Sequence, residues 1–223
     1  MESYRLINNV NAACDWVMKL LYLNLLWILF TLAGLIIAGL FPATVAMFTV
    51  MKGYLAGENV RVFNAFKKVY KEEFRRANRL GLVLLLLPII LYTDWQFTNY
   101  LSGTVEMMAK GILIGSTCLY VVMLIYIFPV YLQINRKVFT ALKMAFLIGI
   151  TYPFNTFMML TSIASLLFLF VFLPMAGYLF FSSGLACMVS FFSFRLFQKI
   201  GDRAEKLQNR ERPRWTSITN TID

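Results

Sequence analysis

The sequence lacks histidine and is poor in charged residues. It has no histidine, 14% charged residues and three cysteines, whereas an ordinary soluble domain is about 25% charged. Without histidine the commonest general base and metal ligand are missing. The cysteines are far apart in apolar sequence and form neither a disulfide framework nor a CxxC metal pair: they are Cys14, Cys118 and Cys187.

Elements of an enzyme active site are also missing. The sequence has no GxxxxGK[ST] phosphate loop. Its carboxylates fall in predicted loops, at predicted membrane surfaces or in the tail, with Asp94 as the exception, and no pair of them lies within a predicted span. We therefore predict a non-enzymatic protein with no catalytic residues, no cofactor and no metal.

Apolar residues are abundant and run together. The chain of 223 residues is 60% hydrophobic, with long runs at 81–92 and 161–181. A soluble chain of this length could not bury so much apolar surface, and stretches of this length are typical of transmembrane helices. The sequence predicts an all-α integral membrane protein.

About six segments have the composition of spans. We predict them at 16–40, 42–55, 80–97, 110–132, 157–173 and 178–197, so that residues 1–197 form one transmembrane domain and 198–223 a charged cytoplasmic tail. The second segment is short and contains Lys52, so it either crosses the membrane or is re-entrant. We favour a crossing. A five-span chain remains the alternative.

A turn is predicted between the first two spans, at Gly39–Thr44. Proline is disfavoured within a helix and favoured in its first turn. We expect Pro42 to open the second span and Thr44 to cap it or to pack beside it.

Two amphipathic helices are predicted at the inner membrane surface, at 62–79 and 135–150. In the first, apolar residues recur at steps of three and four, and charged residues occupy the remaining positions. Its basic side chains are candidate contacts for anionic lipid or for a protein partner, with lipid as the default. They are Lys67, Lys68, Lys71, Arg75, Arg76 and Arg79.

The positive charge predicts the orientation. The net charge is +10, and cytoplasmic loops of membrane proteins collect Lys and Arg. With six spans and both termini in the cytoplasm, all 21 Lys and Arg except Lys110 lie on the inner side. We therefore predict a multi-pass protein of the cytoplasmic membrane that binds lipid and no nucleic acid.

Two polar residues and one glycine pair stand out within the spans. Asn24 lies near the middle of the first span, where interhelical hydrogen bonding is the favoured role. Asp94 lies between Tyr92 and Trp95, which favours an interfacial carboxylate over a functional one. Gly111–Gly115 has the small-xxx-small spacing of close helix contacts, and there we favour internal packing over dimerisation.

The N-terminal half resembles the YesL-like family of bacterial integral membrane proteins. The resemblance is carried by Leu20–Trp27, by Gly39–Thr44 and by Phe63–Lys68, and it covers roughly residues 16–90. Members of that family tend to be encoded beside ATP-binding-cassette (ABC) carbohydrate uptake systems and their sensor kinases. The resemblance thus implies an accessory role with an ABC-type sugar permease or a sensor kinase as partner.

Three functions are compatible with these features. The leading prediction is a non-enzymatic membrane accessory protein of carbohydrate uptake or sensing. The alternative is a small-solute transporter, which would line a central cavity with several charges or amides; the third is a structural or lipid-interacting protein. The low polar content of the spans favours the accessory protein.

Overall fold

The computed structural model describes residues 2–134 and 137–211, and the side chains of 10–134 and 137–206. This part of the chain is all-α. Its seven helices are α1 (Glu2–Ala33), α2 (Ile37–Leu55), α3 (Val62–Thr98), α4 (Gly103–Gln133), α5 (Val138–Thr151), α6 (Pro153–Phe172) and α7 (Pro174–Glu211).

Within the described residues, six helices are long and apolar enough to cross a membrane. They are Val10–Ala33 of α1, all of α2, α3, α4 and α6, and Pro174–Lys206 of α7. The predicted all-α class with about six potential spans is confirmed. α2 lies at the centre, packed against α1, α3, α4 and α7, and more than half of its 19 residues are buried.

The turn between α1 and α2 lies earlier than predicted. α1 ends at Ala33, and α2 begins at Ile37 with Pro42 inside it, so the prediction that Pro42 opens the second span is wrong. Glycines allow the early turn, since a side chain on Gly34 or Gly39 would overlap the backbone of the hairpin. At 19 residues, α2 is about 28 Å long, close to a bilayer core of about 30 Å.

The turn itself is strained. Leu35 and Ile36 have φ of 59° and 62°, values that are rare for bulky or β-branched residues. The N–H of Ile37 donates to the carbonyl of Leu35 at 2.8 Å, and with ψ of −70° at Ile36 this is the strained form of the γ-turn. The N–H groups of Gly34, Leu35 and Ile36 also donate to backbone carbonyls.

The predicted surface helix at 62–79 is not a separate element. It is the N-terminal half of α3, a single helix of 37 residues that continues through the predicted span 80–97. No helix breaker separates the two parts, and Gly81 lets the ring of Phe41 on α2 contact the helix closely. Because α3 is continuous, the apolar stripe of its N-terminal half packs against other helices of the protein.

The second predicted surface helix, 135–150, begins at Val138 in the structure, and residues 135 and 136 lie outside the described residues. Its buried residues are Ala141, Ala145 and Gly149, spaced four apart on one face. α5 packs closely against α4 through this face, because a side chain on Gly149 would overlap Val122. A break at Tyr152 separates α5 from α6.

The C-terminal helix is longer than the predicted span. α7 runs without interruption through 178–197 and on to Glu211, so the first part of the predicted tail is helical. Residues 212–223 of that tail lie outside the described residues.

Candidate functional site

The basic face of α3 is formed by the six predicted contact residues, and all six are exposed. The opposite side of the same segment is buried, with Phe66 and Ala77 fully inaccessible. The ring of Phe30 on α1 lies 5.1 Å from that of Phe66 and 5.0 Å from that of Tyr70, whose hydroxyl donates to the Phe30 carbonyl at 3.1 Å. The basic face of α3 comprises Lys67, Lys68, Lys71, Arg75, Arg76 and Arg79.

A buried carboxyl group lies beneath this face. Glu73 is 1% exposed and accepts a hydrogen bond of 2.9 Å from the hydroxyl of Tyr131 on α4, which is also buried. Its other oxygen lies 3.5 Å from a guanidinium nitrogen of Arg76. Ionisable groups buried in membrane proteins carry a functional hypothesis by default.

Sequence reasoning missed Glu73 because it treated carboxylates as surface groups. The helical periodicity of the sequence nevertheless indicated that Glu73 is buried. Position 73 lies three residues after Tyr70 and four before Ala77 on the apolar stripe, so the helical spacing alone places it on the buried face.

Thr44 connects α1 to α2. Its hydroxyl oxygen accepts a hydrogen bond of 3.1 Å from the indole nitrogen of Trp27 and donates one of 2.7 Å to the carbonyl of Leu40. Thr44 thus packs within the hairpin and does not cap α2. Pro42 is buried beside it in α2, where its missing N–H costs one helical hydrogen bond.

Asn24 lines an open cleft of about 470 Å³ between α1, α6 and α7. The side chain is 4% exposed. Its amide nitrogen donates to the carbonyl of Tyr178 at 3.4 Å, while its oxygen accepts no hydrogen bond within the described part of the chain. The lining of this Asn24 cleft consists of Asn24, Trp27, Ile28, Phe170, Pro174, Gly177, Tyr178, Phe181 and Ser182.

The remaining candidates lie on the surface. Asp94 is exposed on α3 between exposed Tyr92 and Trp95, and its interfacial role stays a prediction. Gly111 and Gly115 have nothing within 4 Å of a side chain built there, so the internal packing predicted for them is wrong. In the described residues, no three His, Cys, Asp or Glu are grouped to hold a metal ion.

Together these features define a multi-pass helical membrane architecture with a basic helix face and a lateral cleft. Residues 20–95 match a family model described as "Protein of unknown function, DUF624", a segment close to the one that carries the YesL-like resemblance. That resemblance is confirmed by relatives that are 33–38% identical over most of the chain, and the chain belongs to the YesL-like family.

Three curated relatives from Bacillus subtilis (strain 168) are similar over most of their length. The chain is 33% identical to uncharacterized protein YesL, over 89% of this chain and 94% of the relative. It is 38% identical to uncharacterized protein YteU over 72% of both chains. It is 34% identical to uncharacterized protein YesV, over 84% of this chain and 91% of the relative. No solved structure matches.

Proposed function

We propose that the chain is a non-enzymatic accessory protein of a bacterial carbohydrate uptake or sensing system, held in the cytoplasmic membrane with both termini in the cytoplasm. The class of partner, an ABC-type sugar permease or a sensor kinase, is the one that the family resemblance implies. The observation that carries a docking role is the exposed basic face of α3.

Two properties of this face support docking. Most of its apolar stripe is already buried against α1 and α2, and Phe63 is its exposed member, so little of the segment needs a lipid surface to cover it. The six cations also stand on a helix continuous with a potential span, which fixes their spacing. A fixed array of positive charge favours association with an acidic protein surface.

The alternative, a small-solute transporter, has less support. Transport sites typically gather several polar groups near mid-depth. In the Asn24 cleft, Asn24 is the one amide, and most of the lining is aromatic or aliphatic. The buried Glu73–Tyr131 pair is the observation that favours this alternative, and it packs between α3 and α4.

A charge-neutralised variant tests the docking role. Lys67, Lys68, Arg75 and Arg76 are changed together to Gln, and the sugar permease or sensor kinase that co-purifies in mild detergent is quantified. We expect recovery to fall at least about tenfold, because the charges that attract the partner are gone. Wild-type recovery should fall with added salt.

The matched control removes the same charge elsewhere. Arg195, Lys199, Arg203 and Lys206 are exposed on α7, and changing all four to Gln should leave recovery within about twofold, the scatter expected for surface changes. An equal fall in partner recovery for both variants would indicate a general effect of charge on membrane insertion. Unchanged recovery in the α3 variant would show that this face does not dock the partner.

A further inference from the structure

A small, partly open pocket lies where the C-terminal ends of α2 and α4 meet α7. It leaves about 20 Å³ for the centres of water-sized groups, which is room for one or two oxygen atoms of a ligand. We call it the Lys52 pocket. Its polar lining residues are Lys52, Gln133, Ser190 and Ser193, and the other lining residues are aromatic, aliphatic or proline.

Lys52 brings an unpaired ammonium group to this pocket. It lies in the last turn of α2 and is half-buried. Neither ion pair of the described residues includes it, and its ammonium donates no hydrogen bond within that part of the chain. The carboxylate of Glu58 lies beside Gly53 and does not line the pocket. Charged groups withdrawn from water are usually paired, so the ammonium is available to an anionic ligand.

Ser190 supplies a second free donor. It is 7% exposed, and its hydroxyl makes no hydrogen bond within the described residues. Its oxygen retains accessible surface, unlike the unpaired hydroxyl oxygen of Ser193, one turn further along α7. A ligand in the pocket can therefore reach the hydroxyl of Ser190 but not that of Ser193. The amide of Gln133, the last residue of α4, is exposed beside them.

The position of the pocket along the helices matches the depth of lipid phosphates. α2 is about 28 Å long and a bilayer core is about 30 Å thick. In the proposed topology, the last turn of α2 therefore lies at the membrane surface, and Gln133 ends α4 at the same surface. Basic pockets between transmembrane helices are typical sites for phospholipid head groups.

We propose that the Lys52 pocket binds the oxygen atoms of a phosphate group, to which the ammonium of Lys52 and the hydroxyl of Ser190 donate. The phosphate belongs either to an anionic phospholipid or to free phosphate in solution, since both present the same oxygens. No lining residue of the pocket is on α3, so this site is independent of the docking role proposed for the basic face.

Lipid retention by the full chain in mild detergent tests the site. The probe is phosphatidylglycerol, and diacylglycerol with the same acyl chains but no phosphate is the comparison. We expect native mass spectrometry to show a retained phosphatidylglycerol and no retained diacylglycerol, because the acyl chains alone offer nothing to the two donors. Equal retention of the two lipids would contradict a phosphate site.

Single substitutions separate the pocket from general surface charge. Lys52→Gln and Ser190→Ala should each raise the dissociation constant of phosphatidylglycerol about tenfold, the value of one hydrogen bond to a charged group. Ser193→Ala removes an inaccessible hydroxyl from the same wall, and Lys19→Gln removes the same charge from an exposed position on α1 outside the pocket. Both controls should stay within about twofold of wild type.

Radiolabelled inorganic phosphate in equilibrium dialysis identifies the source of the phosphate. Retention of phosphatidylglycerol that depends on Lys52 and Ser190, without binding of inorganic phosphate, assigns the site to lipid. Inorganic phosphate bound with the same dependence, without retained lipid, assigns it to free phosphate, and binding of both probes supports a site for the shared group. Binding of neither probe, equal effects of Lys52→Gln and Lys19→Gln, or unchanged binding in Ser190→Ala would overturn the proposal.

Discussion

At the scale of single residues, the most informative feature of the packing is the buried side chain of Glu73. Its carboxyl group lies between α3 and α4, and the hydroxyl of Tyr131 donates to it across the interface. A second polar contact joins the same two helices, because the hydroxyl of Tyr120 on α4 donates to the carbonyl of Leu84 on α3 at 2.8 Å. Glu73 also lies directly beneath the basic face of α3, on the same turn of helix as Arg76.

We expect Tyr131→Phe to destabilise the protein by about 1 kcal/mol, because it removes this hydrogen bond and leaves the shape of the side chain unchanged. The measurement is thermal unfolding of the purified protein in detergent. Glu72→Gln is the control: Glu72 is exposed beside Glu73, and its change should stay within about 0.5 kcal/mol. An unfolding midpoint for Tyr131→Phe equal to wild type would mean that the contact adds nothing to stability.

At the scale of helices, two glycines separate a packed position on α5 from an open one on α4. A Cβ at Gly149 of α5 would overlap Val122 on α4, whereas a Cβ at Gly111 of α4 would meet nothing within 4 Å. The two glycines lie in apolar helices and offer the same substitution in different surroundings.

We expect Gly149→Leu to destabilise the α4–α5 pair by about 1–3 kcal/mol, the usual cost of overpacking. Gly111→Leu should be neutral or slightly stabilising, because leucine favours a helix more than glycine does. Protease sensitivity of the segment between α4 and α5 in detergent measures the difference. Equal sensitivity of the two variants would show that α5 does not depend on this contact.

The helices also show which features a sequence can predict. Long apolar runs predicted five of the potential spans, because a span requires length and apolar composition; the second was predicted only as a short segment at 42–55, and α2 is longer, from Ile37 to Leu55. The turn before α2 was misplaced because Pro42 is a strong turn signal. The actual turn uses Leu35 and Ile36, which have positive φ angles, and no conformational propensity favours such angles for these residue types. The basic helix at 62–79 was predicted to lead directly into the span at 80–97, but the two were counted as separate elements because their compositions differ, whereas the structure has one helix.

The candidate sites likewise have some features that the sequence predicts and others that it does not. The basic face of α3 follows from helical periodicity, and the structure finds its six members exposed as a set. The Asn24 cleft could not be predicted, because it depends on how α1, α6 and α7 pack against one another. Asn24 was identified as polar and buried within a span, but its unpaired oxygen is a property of its neighbours.

At the scale of the whole molecule, we propose that all six potential spans cross the membrane, which would put both chain termini on the cytoplasmic side. Single cysteines at Asn11, Glu58, Ser102 and Asp202 test this in a background without Cys14, Cys118 and Cys187. We expect an impermeant maleimide to label position 102 in intact cells, and positions 11, 58 and 202 after permeabilisation alone, as the positive-inside rule predicts. Labelling of position 202 in intact cells would show that the proposed topology is inverted or wrong. Opposite accessibility of 11 and 58 would show that α1 and α2 do not both cross.

The strained turn between α1 and α2 bears on how the chain enters the membrane. Residues 32–43 contain no polar side chain, and the N–H groups from Gly34 to Ile37 are bonded within the turn. Nothing hydrophilic has to be carried across the bilayer between these two helices, so the main cost of translocating a loop is absent. In the proposed topology the pair would enter the membrane together as one hairpin, with the start of α1 and the end of α2 both left in the cytoplasm.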